Sequence, residues 1–330
     1  MSWPPCAVAL TPAEWRDFFP PPMRDELRAG ASCDIPVGTD DDFSAALAEA
    51  APEVLLAGWS TPPLPADLPP SLRYICYLAG SVKRLVTRRH LENGLLVTNW
   101  GGSISRTVAE AALWHILSGL RRGTHWTLAL HQERGWKQQE REVTASLFGR
   151  RVGLHGFGRV ARELVPLLQP FGCPIAVFAP EIDAVAARTH GVTAATSLET
   201  LFSESDVVVE TAPLTAASRR SVTAGLLGRL RPGSVFVNVA RGEIVDEEAL
   251  VRVAQEGHVF FGLDVFATEP LPADSPLRGL RNVSLTPHLA GPTTDRCADA
   301  GAFALANLRA YAGQRPLQAV ITPAVYDSST

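Results

Sequence analysis

The stretch VGLHGFGRVA, residues 152–161, decides the fold of this chain. Its first residues are typical of a buried strand and its last residues begin a helix, so a glycine-rich turn joins the two. Gly156 permits a tight turn, Gly158 lets the backbone approach a pyrophosphate, and the small Ala161 lets the helix pack on the strand. An ordinary glycine-rich turn is the alternative, but the strand-turn-helix context favours a dinucleotide-binding unit.

Strand and helix patterns alternate on the C-terminal side of this turn. Apolar segments that each end before a helical or loop pattern are PIAVFA (174–179), DVVVETA (206–212), SVFVNVA (234–240), FFGLDVF (260–266) and VSLTP (283–287). Fully apolar strands that alternate with helices indicate a parallel sheet covered on both faces. The sequence therefore predicts a doubly wound, Rossmann-type α/β domain over residues 102–292.

The residues before this region predict a smaller α/β layer. Its strands are expected at Cys6–Thr11, Val54–Trp59, Arg73–Leu78 and Leu95–Thr98, and a long apolar helix follows at Ser105–Arg122. A last apolar helix at Ala300–Tyr311 and the segment PLQAVITP (316–323) are expected to return to this layer. We therefore expect a substrate domain of residues 1–101 and 293–330, into which the nucleotide-binding domain is inserted.

The composition excludes several classes of protein. The 330 residues include 46% hydrophobic and 19% charged side chains, which is typical of a globular chain with two cores. The net charge of -4 argues against a nucleic-acid-binding protein, which usually has a basic face. The five scattered cysteines and the histidine spacings suggest neither a disulfide framework nor a metal site. No stretch reaches the ~18 apolar residues of a membrane span, so we expect a cytoplasmic protein.

Three reactive side chains follow successive predicted strands of the larger domain. Arg241 has a planar guanidinium that suits a bidentate clamp on a carboxylate, and Asp246 is expected to cap the helix after it. His288 can give a proton to an oxygen as hydride reaches the adjacent carbon, and Glu269 can fix its tautomer. Each residue alone has an ordinary structural explanation. Their shared place at the carboxyl edge of a dinucleotide-binding sheet favours hydride transfer.

These segments resemble the signatures of the D-isomer-specific 2-hydroxyacid dehydrogenase family. The resemblance rests on VTN (97–99), the glycine-rich turn, PLT (213–215), RPGSVFVNVARGEIVDEEAL (231–250), GLDVFATEPLP (262–272) and LTPHLAG (285–291). It implies an NAD(P)-dependent oxidoreductase similar to the family's phosphoglycerate dehydrogenases and glyoxylate/hydroxypyruvate reductases. It also implies that the smaller domain is flavodoxin-like.

The resemblance assigns roles to individual residues. It implies that Arg241 binds and polarises the substrate, that His288 is the acid and base, and that Glu269 is the partner of His288. The implied substrate loop is Ala79, Gly80 and Ser81. The implied contacts with NAD or NADP come from Gly156, Phe157, Gly158, Arg159, Val160, Ala179, Ala212, Pro213, Thr215, Val239, Ala240, Asp264, Ala290 and Gly291. Within this set, Asp264 is expected at the nicotinamide carboxamide.

Some positions depart from the family's pattern. Ala179 ends the second strand, where an acid that grips the adenosine ribose is usual, and Glu181 could reach that ribose or be an exposed loop acid. No arginine follows the strand, so we expect NAD, with NADP possible. Lys83 replaces a usual aspartate and is expected either to meet a second anionic group or to replace a surface charge. Trp100 is expected to form an aromatic pocket wall or to pack at a hinge.

The helix region 103–123 is apolar on more than one face, as helices between subunits often are. We therefore expect a homodimer formed through it. The leading hypothesis for function is hydride transfer between NAD(P) and a small 2-oxo or 2-hydroxy acid of the D series. The alternative is a catalytically weak, NAD(H)-sensing scaffold of the same fold. Formate oxidation is disfavoured because Glu269 stands where formate enzymes have a glutamine.

Overall fold

The computed structural model describes residues 3–137, 143–180 and 182–328. The chain forms two units: unit 1 comprises Met1–Ile104 and Pro292–Thr330, and unit 2 comprises Ser105–Gly291. Unit 2 is thus continuous in sequence, whereas unit 1 is made of two separate stretches.

Strands and helices of both units are numbered in chain order. The strands are β1 (Cys6–Ala9), β2 (Cys33–Asp34), β3 (Val54–Ala57), β4 (Tyr74–Tyr77), β5 (Leu96–Thr98), β6 (Val152–His155), β7 (Ile175–Phe178), β8 (Thr193–Ala194), β9 (Val207–Glu210), β10 (Val235–Asn238), β11 (Phe260–Leu263) and β12 (Val283–Leu285). The α-helices are α1 (Pro12–Phe18), α2 (Pro21–Gly30), α3 (Asp40–Ala50), α4 (Arg88–Glu92), α5 (Ser105–Arg121), α6 (Gly123–His131), α7 (Arg159–Leu168), α8 (Ala184–Thr189), α9 (Leu198–Glu204), α10 (Ala224–Leu227), α11 (Glu247–Glu256), α12 (Cys297–Ala312) and α13 (Pro323–Ser328).

Unit 1 is built on a five-stranded sheet in the order β2-β1-β3-β4-β5, with every pair parallel. This is the flavodoxin-like order. Successive side chains of a strand point to opposite faces, so the all-apolar strands β1 and β3 bury both. One face packs on Phe43 and Leu47 of α3, and the other on Ala300 and Ala304 of α12.

Unit 2 is built on a seven-stranded parallel sheet in the order β12-β11-β10-β9-β6-β7-β8. The chain moves from β6 outward to β8, then returns to β9 on the other side of β6 and continues to β12. The carboxyl ends of β6 and β9 therefore form the topological switch point, where doubly wound sheets bind ligands. The predicted fold class, a Rossmann-type parallel sheet and a smaller flavodoxin-like layer, is confirmed.

The predicted strands and helices are present, with shifts of a few residues at their ends. The C-terminal segment belongs to unit 1, and the backbone NH of Ile321 donates to the carbonyl of Val97 at 2.8 Å. The prediction missed β2, β8, α6 and α13. The two strands are each two exposed residues at a sheet edge, so they carry no apolar pattern that a sequence could reveal.

Three further observations bear on cellular context and metals. Within the described part of the chain, no helix has both the length and the apolar character needed to cross a bilayer. Among the same residues, no three His, Cys, Asp or Glu side chains cluster as metal ligands would. The five cysteines are all free thiols.

Candidate active site

The glycine-rich turn between β6 and α7 is shaped by Gly156. Its φ of 91° lies in the left-handed region, and a Cβ there would come within 2.6 Å of the backbone of Ala212. Only glycine meets both constraints, so the turn after β6 and the loop after β9 lie in direct backbone contact.

The helix α7 begins directly after Gly158. No side chain caps its first turn, and a Cβ at Gly158 would meet no atom within 4 Å. A phosphate at the start of this ten-residue helix would be stabilised by its first NH groups and by the helix dipole. Arg159 and Val160 begin this helix, whereas the Phe157 side chain is buried against His190 and Arg162. Of Phe157, only the backbone can reach a phosphate.

A buried ion pair lies beneath this turn, at the ends of β6 and β9. The Nδ1 of His155 is 2.6 Å from Oε2 of Glu210, whose side chain is fully buried. Oε1 of Glu210 accepts from the NH of Ala212 at 2.8 Å. Burial alone would lower the pKa of His155, but the charge and hydrogen bond of Glu210 outweigh it and raise that pKa. The pair thus ties two loops of the predicted cofactor site together.

The loop after β9 continues through the predicted cofactor residues Pro213 and Thr215. The Ser218 hydroxyl donates to the carbonyl of Pro213 at 2.6 Å, and the NH of Thr215 donates to the Ser218 oxygen at 2.7 Å. These local bonds give the segment a fixed turn. The loop therefore presents a defined edge beside the glycine-rich turn.

At the end of β7, Ala179 is buried and offers no polar group to a ribose. Asp183 is the next acid among the described residues, and its Oδ1 accepts from the NH groups of Val185 and Ala186 as the cap of α8. Glu181 lies outside the described residues. One oxygen of the Asp183 carboxylate is therefore engaged as the cap of its helix.

Arg241 follows β10 in a loop held by Asn238. The Asn238 side chain donates to the carbonyl of Arg241 at 2.9 Å and accepts from the NH of Ala240 at 3.0 Å. Burial lowers the pKa of Arg241 below its ordinary value, while Glu269 and Glu243 act in the opposite direction. The predicted cap is confirmed, since Asp246 accepts from the NH of Ala249 at the start of α11.

The loops after β10 and β11 meet at Gly242. A Cβ on this residue would lie 1.9 Å from the carbonyl carbon of Phe266, so the two backbones touch. The β11 loop continues to Glu269, which places that carboxylate close enough for its charge to act on Arg241. Arg241 and Glu269, two of the three predicted catalytic residues, are thus brought together by backbone contact.

His288 and Glu269 form a direct hydrogen bond. The Nδ1 of His288 lies 2.7 Å from Oε2 of Glu269, and Oε1 of Glu269 accepts from the NH of Phe266 at 3.0 Å. The imidazole is half-exposed. Because Nδ1 is bound to the carboxylate, Nε2 is the ring nitrogen that remains for a reactant.

The backbone of His288 is in the left-handed region, with φ at 54°. Its NH donates to the carbonyl of Asp264 at 2.8 Å, and the buried Asp264 carboxylate accepts from the NH groups of Leu289 and Ala290 at 2.8 and 2.9 Å. Asp264 therefore anchors the segment that carries His288. Gly291 follows, with no atom near the position of a Cβ.

A cavity of about 590 Å³ adjoins the His288–Glu269 pair within unit 2. Its wall is largely apolar and comprises Phe266, Glu269, Pro270, Leu271, Arg278, Leu285, Thr286, Pro287 and His288. The guanidinium of Arg278 donates to the carbonyls of Leu271 and Pro272 at 2.8 Å each. The cavity therefore offers mainly apolar contact.

In unit 1, the predicted substrate loop follows β4. The side chain of Asn99 donates to the carbonyl of Gly80 at 2.7 Å, and the NH of Trp100 donates to the carbonyl of Ala79 at 3.2 Å. None of the described residues accepts a hydrogen bond from the NH groups of residues 79–81. The loop is thus held by its carbonyls, with its NH groups available.

Trp100 and Lys83 flank this loop in different ways. A Cβ on Gly80 would lie 3.0 Å from the indole nitrogen of Trp100, and Trp100 contacts the half-exposed Trp59 edge to face, with ring centroids 5.7 Å apart. Lys83 instead places its ammonium over the Tyr326 ring at 5.6 Å. Trp100 therefore belongs to an aromatic surface beside the loop, and Lys83 is engaged elsewhere.

Sequence reasoning missed the roles of four polar residues that hold these loops: the buried His115, Glu210 and Asn238, and the half-buried Thr286. Asn238 and Glu210 end buried strands, where a polar residue after an apolar run is a usable signal. His115 and Thr286 join each other across 171 residues, at 3.1 Å, which no local pattern could indicate.

Comparison with known proteins gives the following likenesses. Residues 113–290 match the family model described as D-isomer specific 2-hydroxyacid dehydrogenase, NAD binding domain. The chain is 31% identical over 260 residues to a hydroxyphenylpyruvate reductase of Plectranthus scutellarioides, covering 78% of this chain and 80% of that protein. It is 34% identical over 223 residues to a D-3-phosphoglycerate dehydrogenase of Mycobacterium bovis.

The second of these alignments covers 67% of this chain but only 42% of the phosphoglycerate dehydrogenase. Among solved structures, apo D-mandelate dehydrogenase of Rhodotorula graminis superposes with a TM-score of 0.82, at 22% identity, over 96% of this chain and 97% of that one. At that identity the structural likeness speaks for the fold alone.

Proposed function

The chain belongs to the D-isomer specific 2-hydroxyacid dehydrogenase family, and on this premise we propose that it interconverts a small 2-oxo acid and the corresponding D-2-hydroxy acid. The observation that carries the proposal is the hydrogen bond of 2.7 Å between His288 and Glu269. The loop that carries Glu269 contacts the loop that carries Arg241. This reaction requires an acid-base pair beside an arginine, at the carboxyl edge of a dinucleotide-binding sheet.

Unit 2 supplies the cofactor site in this proposal. The left-handed Gly156, the open position at Gly158 and the uncapped start of α7 fit the pyrophosphate of a nicotinamide dinucleotide. When bound, the cofactor supplies a hydride to the carbonyl carbon or takes one from the alcohol carbon. The chain's own residues then have to hold the acid and move one proton.

His288 moves that proton. Its Nδ1 is bound to Glu269, so Nε2–H donates the proton to the substrate oxygen during reduction, and neutral Nε2 accepts it during oxidation. The carboxylate of Glu269 stabilises the imidazolium and keeps the ring in one orientation.

Arg241 holds the substrate. An arginine stays cationic even where burial lowers its pKa, and a partly desolvated guanidinium binds a carboxylate more strongly than an exposed one. Its planar fork fits the carboxylate and the adjacent carbonyl oxygen together. Polarising that carbonyl favours hydride addition.

In unit 1, we assign the NH groups of Ala79, Gly80 and Ser81 to the substrate carboxylate. None of the residues that the structure describes accepts a hydrogen bond from these NH groups, which supports the assignment. The contact of Lys83 with Tyr326 favours a surface role for that lysine over binding of a second anion. Trp100 would form one wall beside the substrate.

NAD is the proposed cofactor, with NADP as the alternative. No cationic side chain ends β7, which speaks against a 2′-phosphate, although Ala179 supplies no acid for the ribose. Fluorescence titration should give a lower Kd for NADH than for NADPH. Tighter binding of NADPH would reverse the assignment.

We also propose a homodimer formed through the 103–123 region and a cytoplasmic location. Trp114 of α5, within this region, is 51% exposed, which favours a surface covered in an assembly. Light scattering should give twice the 35.4 kDa of one chain, and Trp114→Asp should shift the mass to that of a monomer. Five free thiols fit a reducing compartment, which cell fractionation can test.

The catalytic proposal is tested with purified protein, NADH or NADPH, and a panel of glyoxylate, hydroxypyruvate, pyruvate and bulkier 2-oxo acids. Cofactor oxidation with at least one acid is expected. His288→Asn should lower kcat by about 10²- to 10⁴-fold, because the proton donor is gone, and leave the Kd of NADH unchanged. Asparagine is chosen because it tolerates the left-handed backbone.

Glu269→Gln is the matched variant, since glutamine can still accept from Nδ1 but carries no charge. It should lower kcat by roughly 10- to 100-fold, less than His288→Asn. Tight NADH binding without turnover of any acid in the panel would instead favour the NAD(H)-sensing scaffold.

A further inference from the structure

His115 lies in the middle of α5 and is 1% exposed. Its ring packs on β11 at Gly262, where a Cβ would come within 2.6 Å of the His115 Cβ. The missing side chain at position 262 therefore lets the imidazole lie close to the sheet, beneath the segment that carries His288.

A chain of hydrogen bonds leads from this imidazole to the backbone beside His288. Nε2 of His115 is 3.1 Å from the Thr286 hydroxyl, which donates to Oδ1 of Asp264 at 2.6 Å. The carboxylate of Asp264 accepts from the NH groups of Leu289 and Ala290. Each bond of the chain lies inside unit 2.

This chain of hydrogen bonds fixes the tautomer of His115. The Thr286 hydroxyl has one proton and gives it to Asp264, so its oxygen can only accept from His115. Nε2 must therefore carry hydrogen. Nδ1 is then an unprotonated nitrogen, and it is buried without a hydrogen-bond partner among the described residues. A buried polar atom left without a partner costs stability, so it calls for an explanation beyond packing.

The segment that carries His288, which this chain of hydrogen bonds holds, is strained. His288 has φ at 54°, and such a conformation costs about 1–3 kcal/mol for most residues, so it persists only where the surroundings enforce it. The Asp264 carboxylate holds the segment in this conformation. The Thr286 hydroxyl, which donates to that carboxylate, orients it.

We propose that His115 is a positioning residue: through Thr286 and Asp264 it fixes the backbone on which His288 presents its imidazole. The inference rests on the proposed function, because it assigns His115 to the geometry of the same proton transfer. Burial lowers the pKa of His115 to about 4, with Asp264 acting in the opposite direction, so this imidazole stays neutral at ordinary pH. Its donor bond to Thr286 is therefore constant over the working range of the enzyme.

The test uses two pairs of variants in the full chain. His115→Phe and Thr286→Val remove the donor and the hydroxyl, and His115→Gln and Thr286→Ser retain them. A displacement of about 1 Å at a reacting group can cost about 100-fold, so His115→Phe and Thr286→Val should lower kcat by at least about 10-fold. KM for the oxo acid and the Kd of NADH should change by less than about 3-fold, and the retaining variants should keep kcat within about 3-fold of wild type.

A double-mutant cycle separates positioning from packing. Because both residues act through one chain of bonds, His115→Phe/Thr286→Val should be no slower than the slower single variant. A His115→Phe protein that is folded and has a kcat within twofold of wild type would overturn the proposal. Losses that multiply in the double variant would overturn it as well.

Amide hydrogen exchange of the peptide that contains residues 288–290 gives a readout without turnover. Exchange should accelerate by about 10-fold in His115→Phe and Thr286→Val and stay unchanged in His115→Gln and Thr286→Ser. Wild-type protein that reduces no 2-oxo acid would contradict the proposed function and leave this readout intact. Unchanged exchange in all four variants would contradict the positioning role alone.

Discussion

The backbone at His288, the proposed acid and base, is positioned by Asp264. This left-handed backbone is held by the carbonyl and the carboxylate of Asp264, which together accept three NH groups from residues 288–290. These three NH groups all find their acceptor in Asp264, so this residue has a structural role besides its expected contact with the nicotinamide carboxamide. The strain at His288 is offset by this buried anchor.

The buried His115 makes the free energy of unfolding depend on pH. The unfolded chain protonates this residue near 6.5, whereas the folded chain does so near 4 because burial disfavours the imidazolium. Neutral His115 thus contributes about 3 kcal/mol to the free energy of unfolding above pH 6.5, and this contribution is lost as the pH falls toward 4. Urea unfolding at pH 7 and pH 4 should show a smaller loss for His115→Gln than for wild type. Equal losses would contradict the prediction.

Among the elements, β6 and β9 are joined by the pair His155 and Glu210 at the switch point of the sheet. The pKa of His155 is raised above 6.5, because the effect of Glu210 exceeds the opposing effect of burial. The pair therefore contributes stability that is fully present below pH 6.5 and is lost as the pH rises through the folded-state pKa.

The free energy of unfolding of wild type relative to His155→Gln should accordingly decrease between pH 6 and pH 9. Urea titrations at several pH values measure it. His258, which lies 3.4 Å from Glu256 on the surface, is the control, because an exposed pair contributes little. A difference for His155→Gln that does not change with pH would contradict the assignment.

The loops after β10 and β11 depend on Gly242 for their contact. Gly242→Ala would drive a Cβ to within 1.9 Å of the Phe266 carbonyl carbon, so one backbone must shift. We expect a loss of about 3 kcal/mol in the free energy of unfolding, and a lower kcat because Arg241 and Glu269 separate. Gly225→Ala, in an open position of α10, should leave both nearly unchanged. Thermal unfolding and steady-state rates distinguish the two variants.

For the whole molecule, the continuity of unit 2 leads to a prediction about a fragment. Residues 105–291 contain the complete seven-stranded sheet, its buried core and the glycine-rich turn. A fragment of these residues should fold and bind NADH within about 10-fold of the full chain, but should reduce no oxo acid, because the proposed carboxylate loop belongs to unit 1. Circular dichroism and NADH fluorescence test this. A folded fragment that cannot bind NADH would contradict the assignment of the cofactor to unit 2.

The sequence by itself determined the parallel strand-helix alternation and the glycine-rich turn, and it singled out Arg241, Glu269 and His288 as candidates. Those features are local, because hydrophobic period, glycine and strand ends can be read within a few residues. Only the tertiary structure revealed that His155 meets Glu210, 55 residues away, and that His115 meets Thr286, 171 residues away. Such contacts depend on strand order and on the rotation of α5 against β11, which are decided by the packing of the whole core rather than by any one segment.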